Sequence, residues 1–481
     1  MATYIVDSAS VLSATTGADS VWVQSGGTGN STVFGLAGND TLYVVDATNT
    51  SSQGIVLRGA GGDDSIHIDS GSFSAGNYQV YAGDGADSIV LSGMGFVGVL
   101  NTNEGNDRIS ADDGVTISAA NFGSGTDTIN ISGTIGNVGL GNGHDEFSGT
   151  VVTFTTANTL KLGDGRDTVS IASLIGNSAI TIQGDSDTNF GADSMDLGVV
   201  DVTGLVVKGH GGADTITISG ADESSLIQGN DGHDSIEISD ALENDVTIGG
   251  GKGRDSIFIS GAFAVTTTAV IFGGEAADSI FIEDITTGDK ALASIMGGGG
   301  ADTITISGAS SDGFADASGT YGTLVYSSFS ESNLSATDLF EVVSAGGANL
   351  DLSGAGDNVD VDFGGAAALS AVGTVTASNL AGNTTSYASV AADGVVTFAG
   401  DLATTVNSSV TAAVAAVDKT LTSEGLGALF TANGREYLFV QGGTAGTADD
   451  LVVGFGGISA KNLTDNGSAF QVNFSGINSA T

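Results

Sequence analysis

The chain has no cysteine, no proline, a single tryptophan, and only 11 lysines and arginines among its 481 residues. Without cysteine there can be neither disulfides nor thiolate metal sites, so a folded form in an oxidising compartment needs another staple. Absence of proline fits a backbone whose N–H groups are nearly all committed to ladder hydrogen bonds, since proline donates none, and it removes proline-rich linkers. The few basic residues face 56 acidic ones, for a net charge of −45. A surface this negative repels nucleic acid and anionic headgroups, which leaves divalent cations as the natural partner. No run approaches the roughly 18 apolar residues that span a bilayer. Met1-Ala2-Thr3-Tyr4-Ile5-Val6-Asp7 lacks a basic region followed by an apolar stretch, so no cleavable secretory signal is expected there.

What is abundant is glycine, with 77 residues, beside a hydrophobic fraction of 40% and a mean hydropathy of +0.22. Glycine at this level could mean disorder, but the apolar content argues for a chain that buries surface. Its length suits two or more folding units.

Glycine and aspartate recur together. Gly297-Gly298-Gly299-Gly300-Ala301-Asp302-Thr303-Ile304-Thr305 follows the pattern G-G-x-G-x-D-x-apolar-x, a nine-residue repeat that binds calcium in parallel β-helices. Further copies begin at Gly59, Gly209 and Gly250. The sixth-position aspartates are Asp19, Asp40, Asp64, Asp87, Asp107, Asp127, Asp145, Asp167, Asp193, Asp214, Asp234, Asp255, Asp278 and Asp302. From Asp40 onward their spacing runs from 18 residues (Asp127 to Asp145) to 26 (Asp167 to Asp193), and one interval is one coil. Asp19, Asp193 and Asp278 belong to degenerate copies, the last with Ala276 in place of the fourth-position glycine.

After each aspartate, apolar residues alternate, as in Ile66/Ile68, Ile216/Ile218 and Ile257/Ile259, and a second apolar run such as Ile55-Val56-Leu57 precedes the next glycine turn. Two short strands per coil, stacked coil on coil, make two parallel sheets around a continuous core. The expected fold is therefore all-β: a right-handed parallel β-roll or β-solenoid with one calcium-binding edge, followed by a small mixed α/β C-terminal module.

Residues 1–33 read as a cap and first coil, with Trp22 as a lid on the end of the core. Residues 34–308 form the roll, and 309–400 are an Ala/Ser/Gly-rich β region. Residues 401–481 form the C-terminal module, with a helix through Leu402, Val406, Val410, Ala413, Val414, Val417 and Leu421 that ends at Gly425. A hairpin is expected around Asn433-Gly434, between Ala428-Leu429-Phe430 and Tyr437-Leu438-Phe439-Val440.

The motif has a chemical logic. Its glycines let carbonyl oxygens approach one point, and the aspartate adds a hard charged oxygen of the kind calcium collects in shells of 6–8. Carboxylates repeating at about 4.8 Å would repel by roughly 3–4 kcal/mol per adjacent pair at an effective dielectric near 20. Divalent ions between coils turn that repulsion into attraction, so the chain is expected to fold or stiffen with metal. Asp185-Ser186-Asp187-Thr188-Asn189 opens like a further calcium loop, with its glycine one place late at Gly191.

These residues, over about 14–308, resemble the RTX (repeats-in-toxin) family. The resemblance implies a calcium-loaded β-roll that works outside the cell. The chain departs from the commonest RTX arrangement in carrying one motif per coil, which implies one metal edge and one free edge. The run from Arg435 to Val453 is similar to C-terminal regions of RTX proteins exported by type I secretion, a route whose signal is C-terminal and uncleaved.

No catalytic constellation is visible. His67, His144, His210 and His233 occupy variable repeat positions without metal-hydrolase spacing, no G-x-S-x-G elbow is present, and residues 309–481 contain no histidine. Arg166 and Arg254 sit at the fifth motif position, where they offset charge at the turn. The expectation is a non-catalytic extracellular structural protein with multiple calcium ions, of surface-layer or cell-surface type, that assembles with itself or meets a cell-surface glycan and neither binds nucleic acid nor spans a membrane. The alternatives are an adhesin or virion-appendage module, or a secreted hydrolase or epimerase.

Overall fold

The structure is a computed structural model. It describes residues 3–6, 11–24, 30–46, 54–70, 77–154 (94 aside), 158–185 (177–178 aside), 191–260 (241 and 244 aside), 268–283, 292–307 (300–301 aside), 323–325, 338–343, 358–362, 387–399 (392–393 aside), 403, 405, 409–421, 426–441 and 450–477 (457 and 466–468 aside). The chain divides into two compact units, Met1–Asp231 and Gly232–Thr481.

Unit 1 is a parallel β-solenoid. The strand after each aspartate pairs in parallel with its counterpart one coil on: Ser20–Gln24 with Thr41–Asp46, then Ser65–Ser70, then Ser88–Gly93. Register is set by the alternation read from the sequence, because a slip of one residue would turn every apolar side chain outward. One inward column therefore runs Val21, Leu42, Ile66, Ile89, Ile109, Ile129, Phe147, Val169, Met195, Ile216, all fully buried. The strand leading into each glycine turn supplies the facing column, Val33, Leu57, Val80 and Leu100 through Ile182 and Val207. Each such side chain contributes about 1.5–3 kcal/mol on burial, and the columns are the core.

The turn itself depends on its fourth-position glycine. Gly62 has φ +115°, and a Cβ there would stand 2.5 Å from the Gly38 carbonyl of the preceding coil. Stacking at this distance lets the Gly38 N–H donate to the Gly61 carbonyl (2.8 Å) and the Gly62 N–H to the Asp84 carbonyl (2.9 Å).

Unit 2 repeats the scheme with Ile236, Ile257, Ile280 and Ile304 in one column and Ile248, Ile271 and Ile295 in the other. The aspartate series ends at Asp302, but the strand ladders run on. Asp338–Val343 pairs in parallel with Thr303–Ser307, and Thr323–Val325 pairs with Leu292–Gly299. The ladders finish on C-terminal strands: Leu451–Gly456 lies parallel to Asp338–Val343, and Ala469–Ile477 lies antiparallel to Asn358–Asp362.

The C-terminal module has the expected helix and hairpin. The helix is described over Val410–Thr420, where Ser409 Oγ caps the Ala412 N–H at 3.2 Å. The helix ends with Leu421 as its C-cap, in an extended conformation, and not at Gly425 as expected; Leu402, Val406 and Gly425 themselves lie outside the described residues. Gly427–Ala432 and Arg435–Val440 pair antiparallel around Asn433 (φ 49°) and Gly434 (φ 76°), the paired positive angles of a tight hairpin turn. Ala413, Val414 and Val417 of the helix share a core with Phe430 and Phe439. Among the described residues, no helix is long and apolar enough to cross a membrane.

Candidate metal-binding ladder

The motif aspartates stand in one column in each unit, and all fourteen are buried, with 1–4% of their surface exposed. Each sits at the corner between two strands, where ladder hydrogen bonding would otherwise break. The backbone N–H of one aspartate donates to Oδ1 of the aspartate one coil on: Asp19 to Asp40, Asp40 to Asp64, Asp64 to Asp87, Asp87 to Asp107, Asp107 to Asp127 and Asp127 to Asp145, each at 2.8 Å. The series continues from Asp145 to Asp167 (2.7 Å), Asp167 to Asp193 (2.9 Å) and Asp193 to Asp214 (2.8 Å). In unit 2 it runs Asp234 to Asp255, Asp255 to Asp278 and Asp278 to Asp302, each at 2.8 Å. The carbonyls join in: Asp40 O accepts from Ser65 N–H and Asp64 O from Ser88 N–H, both at 2.8 Å. The side chain thus replaces a strand carbonyl at the bend, a structural reason for aspartate once per coil.

Only one carboxylate oxygen is used this way. Oδ2 of Asp40, Asp64, Asp87, Asp127, Asp145, Asp167, Asp193, Asp255 and Asp278 is buried with no hydrogen-bond partner. An ionised oxygen in that state is expensive. Burial accordingly raises these carboxyls well above the ordinary value, to about 6 at Asp64, about 7 at Asp87, Asp127, Asp167 and Asp278, and about 8 at Asp193. The backbone N–H bonds oppose the rise, and neighbouring carboxylates add to it.

A buried column of hard, partnerless oxygens suits a hard cation. Among the described residues, no three carboxylate or imidazole groups gather closely enough to hold an ion by themselves. An ion on this ladder would therefore draw on aspartate Oδ2 and complete its shell with turn carbonyls and water.

A second, outer ladder was not foreseen. At the fifth motif position, Asn39 Oδ1 accepts from Asp63 N–H (3.1 Å), Asp63 Oδ1 from Ala86 N–H (3.0 Å) and Asn106 Oδ1 from Thr126 N–H (2.8 Å). His144 Nδ1 accepts from Arg166 N–H (2.9 Å) and His233 Nδ1 from Arg254 N–H (2.7 Å). Two of the four histidines are thereby acceptors in exposed turns, and the recurrence of Asn, Asp and His just before the motif aspartate was the signal for it. Asp185, read as the start of a calcium loop, is fully buried and accepts from the Gly165 and Gly191 N–H groups. Ser186 to Asn189 lie outside the described residues.

Trp22 corrects an expectation. It is not a lid over the core but lies on the outer face of its sheet, 43% exposed, because it alternates with the buried Val21 and Val23. Its ring packs tilted against Tyr43 (4.6 Å between centroids, 58° between planes), and Tyr43 packs tilted against His67 (4.7 Å, 52°), coil upon coil.

Compared with models of protein families, with curated proteins and with solved structures, the chain shows no significant match.

Proposed function

We propose that this is an extracellular, non-catalytic structural protein of RTX type, in which calcium ions on the aspartate ladder couple metal supply to folding. One observation carries the reading: a column of buried carboxylates, one per coil, in nine of which (Asp40, Asp64, Asp87, Asp127, Asp145, Asp167, Asp193, Asp255 and Asp278) the second oxygen is buried with no hydrogen-bond partner. Calcium relieves the desolvation and mutual repulsion of that column. With the twelve inter-coil steps named above filled, the net charge rises by about 24, from −45 to about −21. The chain then stays loose where calcium is scarce, as during type I export, and sets outside the cell. The absence of catalytic spacing among its histidines leaves surface-layer or cell-surface assembly as its use. Titration of the metal-stripped chain with calcium by calorimetry, followed by electron microscopy, tests both parts. Multiple ions and a two-dimensional lattice are expected; absence of binding, or discrete particles with calcium bound, would remove the first or the second part respectively.

The adhesin reading has one observation in its favour, the outward row of tilted rings of Trp22, Tyr43 and His67, since exposed aromatic faces suit sugar rings. Quenching of the single tryptophan's fluorescence by a cell-surface glycan would support it over self-assembly.

A further inference from the structure

In unit 1, the outer face of the strands that lead into the glycine turns differs in charge from the rest of the chain. On these strands the residues either side of each buried core side chain point outward. In the outward column nearest the turn, Phe34, Arg58 and Tyr81 stand in successive coils, and after two asparagines and a glycine come Lys161, Gln183 and Lys208. The column two residues earlier runs from Thr32 to Val206 and holds only threonine, valine, glutamine, alanine and asparagine. Neither column contains a carboxylate over nine coils, although acidic residues outnumber basic ones 56 to 11 in the chain. Arg58, Lys161 and Lys208 are three of the five basic residues within Met1–Asp231. Lys161 is exposed and the other two are half-buried. Carboxylates return at the glycine corner with Asp84, Glu104 and Asp164, which bound the strip on that side.

Shape and chemistry together say what fits. With coils about 4.8 Å apart and alternate residues about 7 Å apart, the strip is about 38 Å long and little wider than two side chains. That is the footprint of a linear polymer rather than of the broad patch two proteins bury. Near its N-terminal end the Arg58 guanidinium lies 4.3 Å from the Tyr81 ring centroid and 6.0 Å from that of Phe34. Aromatic faces suit sugar rings, and a guanidinium held against them keeps its N–H edge for a carboxylate. The three cations, separated along the column by about 24 Å and then about 10 Å, match a polymer of sparse negative charge. Duplex DNA, with a charge about every 1.7 Å, would meet mostly neutral surface here while the rest of the chain repels it.

We propose that this strip binds a linear acidic polysaccharide whose carboxylates alternate with neutral sugars. Arg58, Lys161 and Lys208 pair with the carboxylates, and the rings and side-chain amides between them take the sugar faces and hydroxyls. The proposal rests on the cell-surface reading above for its setting, but not on the aspartate ladder, and the Trp22 row belongs to the other strand of the coil.

The test uses the full chain in calcium, with hyaluronate as the acidic polymer and dextran as the neutral one. Calorimetry is expected to show binding of hyaluronate and not of dextran, weakening as salt rises. Arg58→Gln/Lys161→Gln/Lys208→Gln is expected to weaken it roughly tenfold, while Arg166→Gln, at a glycine turn, leaves it unchanged. Lysine acetylation read by mass spectrometry gives a second measure on the unmutated chain: hyaluronate is expected to shield Lys161 and Lys208 and to spare Lys252, exposed at its own turn. No binding, equal binding of dextran, or an affinity unmoved by the triple substitution overturns the proposal. Shielding of the two lysines that grows with protein concentration in the absence of polymer also overturns it, and assigns the strip to a second copy of the chain. A chain that takes up no calcium yet binds hyaluronate on this strip removes the metal reading and leaves this one standing.

Discussion

Replacing Asp64 by asparagine should change stability in opposite directions with and without calcium. Asn keeps an oxygen for the Asp40 N–H, which donates at 2.8 Å, and places an amide where the partnerless Oδ2 stood, near the Ala82 carbonyl across Gly59. In the metal-free coil, burial raises the Asp64 carboxyl from 3.8 to about 6, with the charges of Asp40 and Asp63 adding to the rise against the backbone hydrogen bond. At about 1.4 kcal/mol for each tenfold change in acidity, ionising it at pH 7.5 costs the fold on the order of 3 kcal/mol relative to the unfolded chain. Asn escapes that cost, so with chelator Asp64→Asn should stabilise by roughly that amount. With calcium at about a thousand times its dissociation constant, a filled site returns about 4 kcal/mol to the parent, and the variant forgoes it. There Asp64→Asn should destabilise by roughly 1 kcal/mol. Thermal unfolding followed by circular dichroism reads both, at about 2–4 °C per kcal/mol for a unit of this size. A change of the same sign in both conditions refutes the metal role and leaves the corner hydrogen bond as the aspartate's whole purpose.

Other outcomes follow from the same structure. In chelator, stability should fall as pH rises from about 4 to about 7, because Asp87, Asp127, Asp167 and Asp278 are raised to about 7 in the fold, so their contribution is complete below the unfolded value of 3.8 and is lost as the folded carboxyls ionise. Denaturant midpoints across that range in chelator check this, and a rise toward neutrality would contradict it. Ala276→Gly should stabilise unit 2 by about 1 kcal/mol, since Ala276 holds φ 79° at a position where other coils use glycine. Conversely, Gly62→Ala should destabilise by about 1–3 kcal/mol, because its new methyl would meet the Gly38 carbonyl at 2.5 Å with φ at +115°. Melting of the two variants beside the parent decides both signs.

The coil spacing, the inward columns and the Asn433-Gly434 hairpin were all legible in the sequence, because each rests on local rules: a repeat length, an alternation, a turn dipeptide. The burial of the aspartates was harder to read. An acidic residue in a glycine turn suggests a solvent-facing edge, whereas here the alternation carries it inward and its Oδ1 accepts from the preceding coil's N–H. The continuation of the ladders past Asp302 was invisible for a related reason. Strands such as Asp338–Val343 pair in parallel with Thr303–Ser307 without the glycine-aspartate corner that marked earlier coils. Trp22 was misplaced because its large apolar ring outweighed the simpler evidence of its neighbours, Val21 and Val23, which take the inward positions.

The most direct test of the central claim is far-ultraviolet circular dichroism of the full chain at neutral pH, first with calcium and then after chelation. Calcium threaded along the aspartate column predicts a strong β signal that falls on chelation and returns when calcium is restored. An identical spectrum and melting temperature in both conditions would show that hydrogen bonds alone hold the column together.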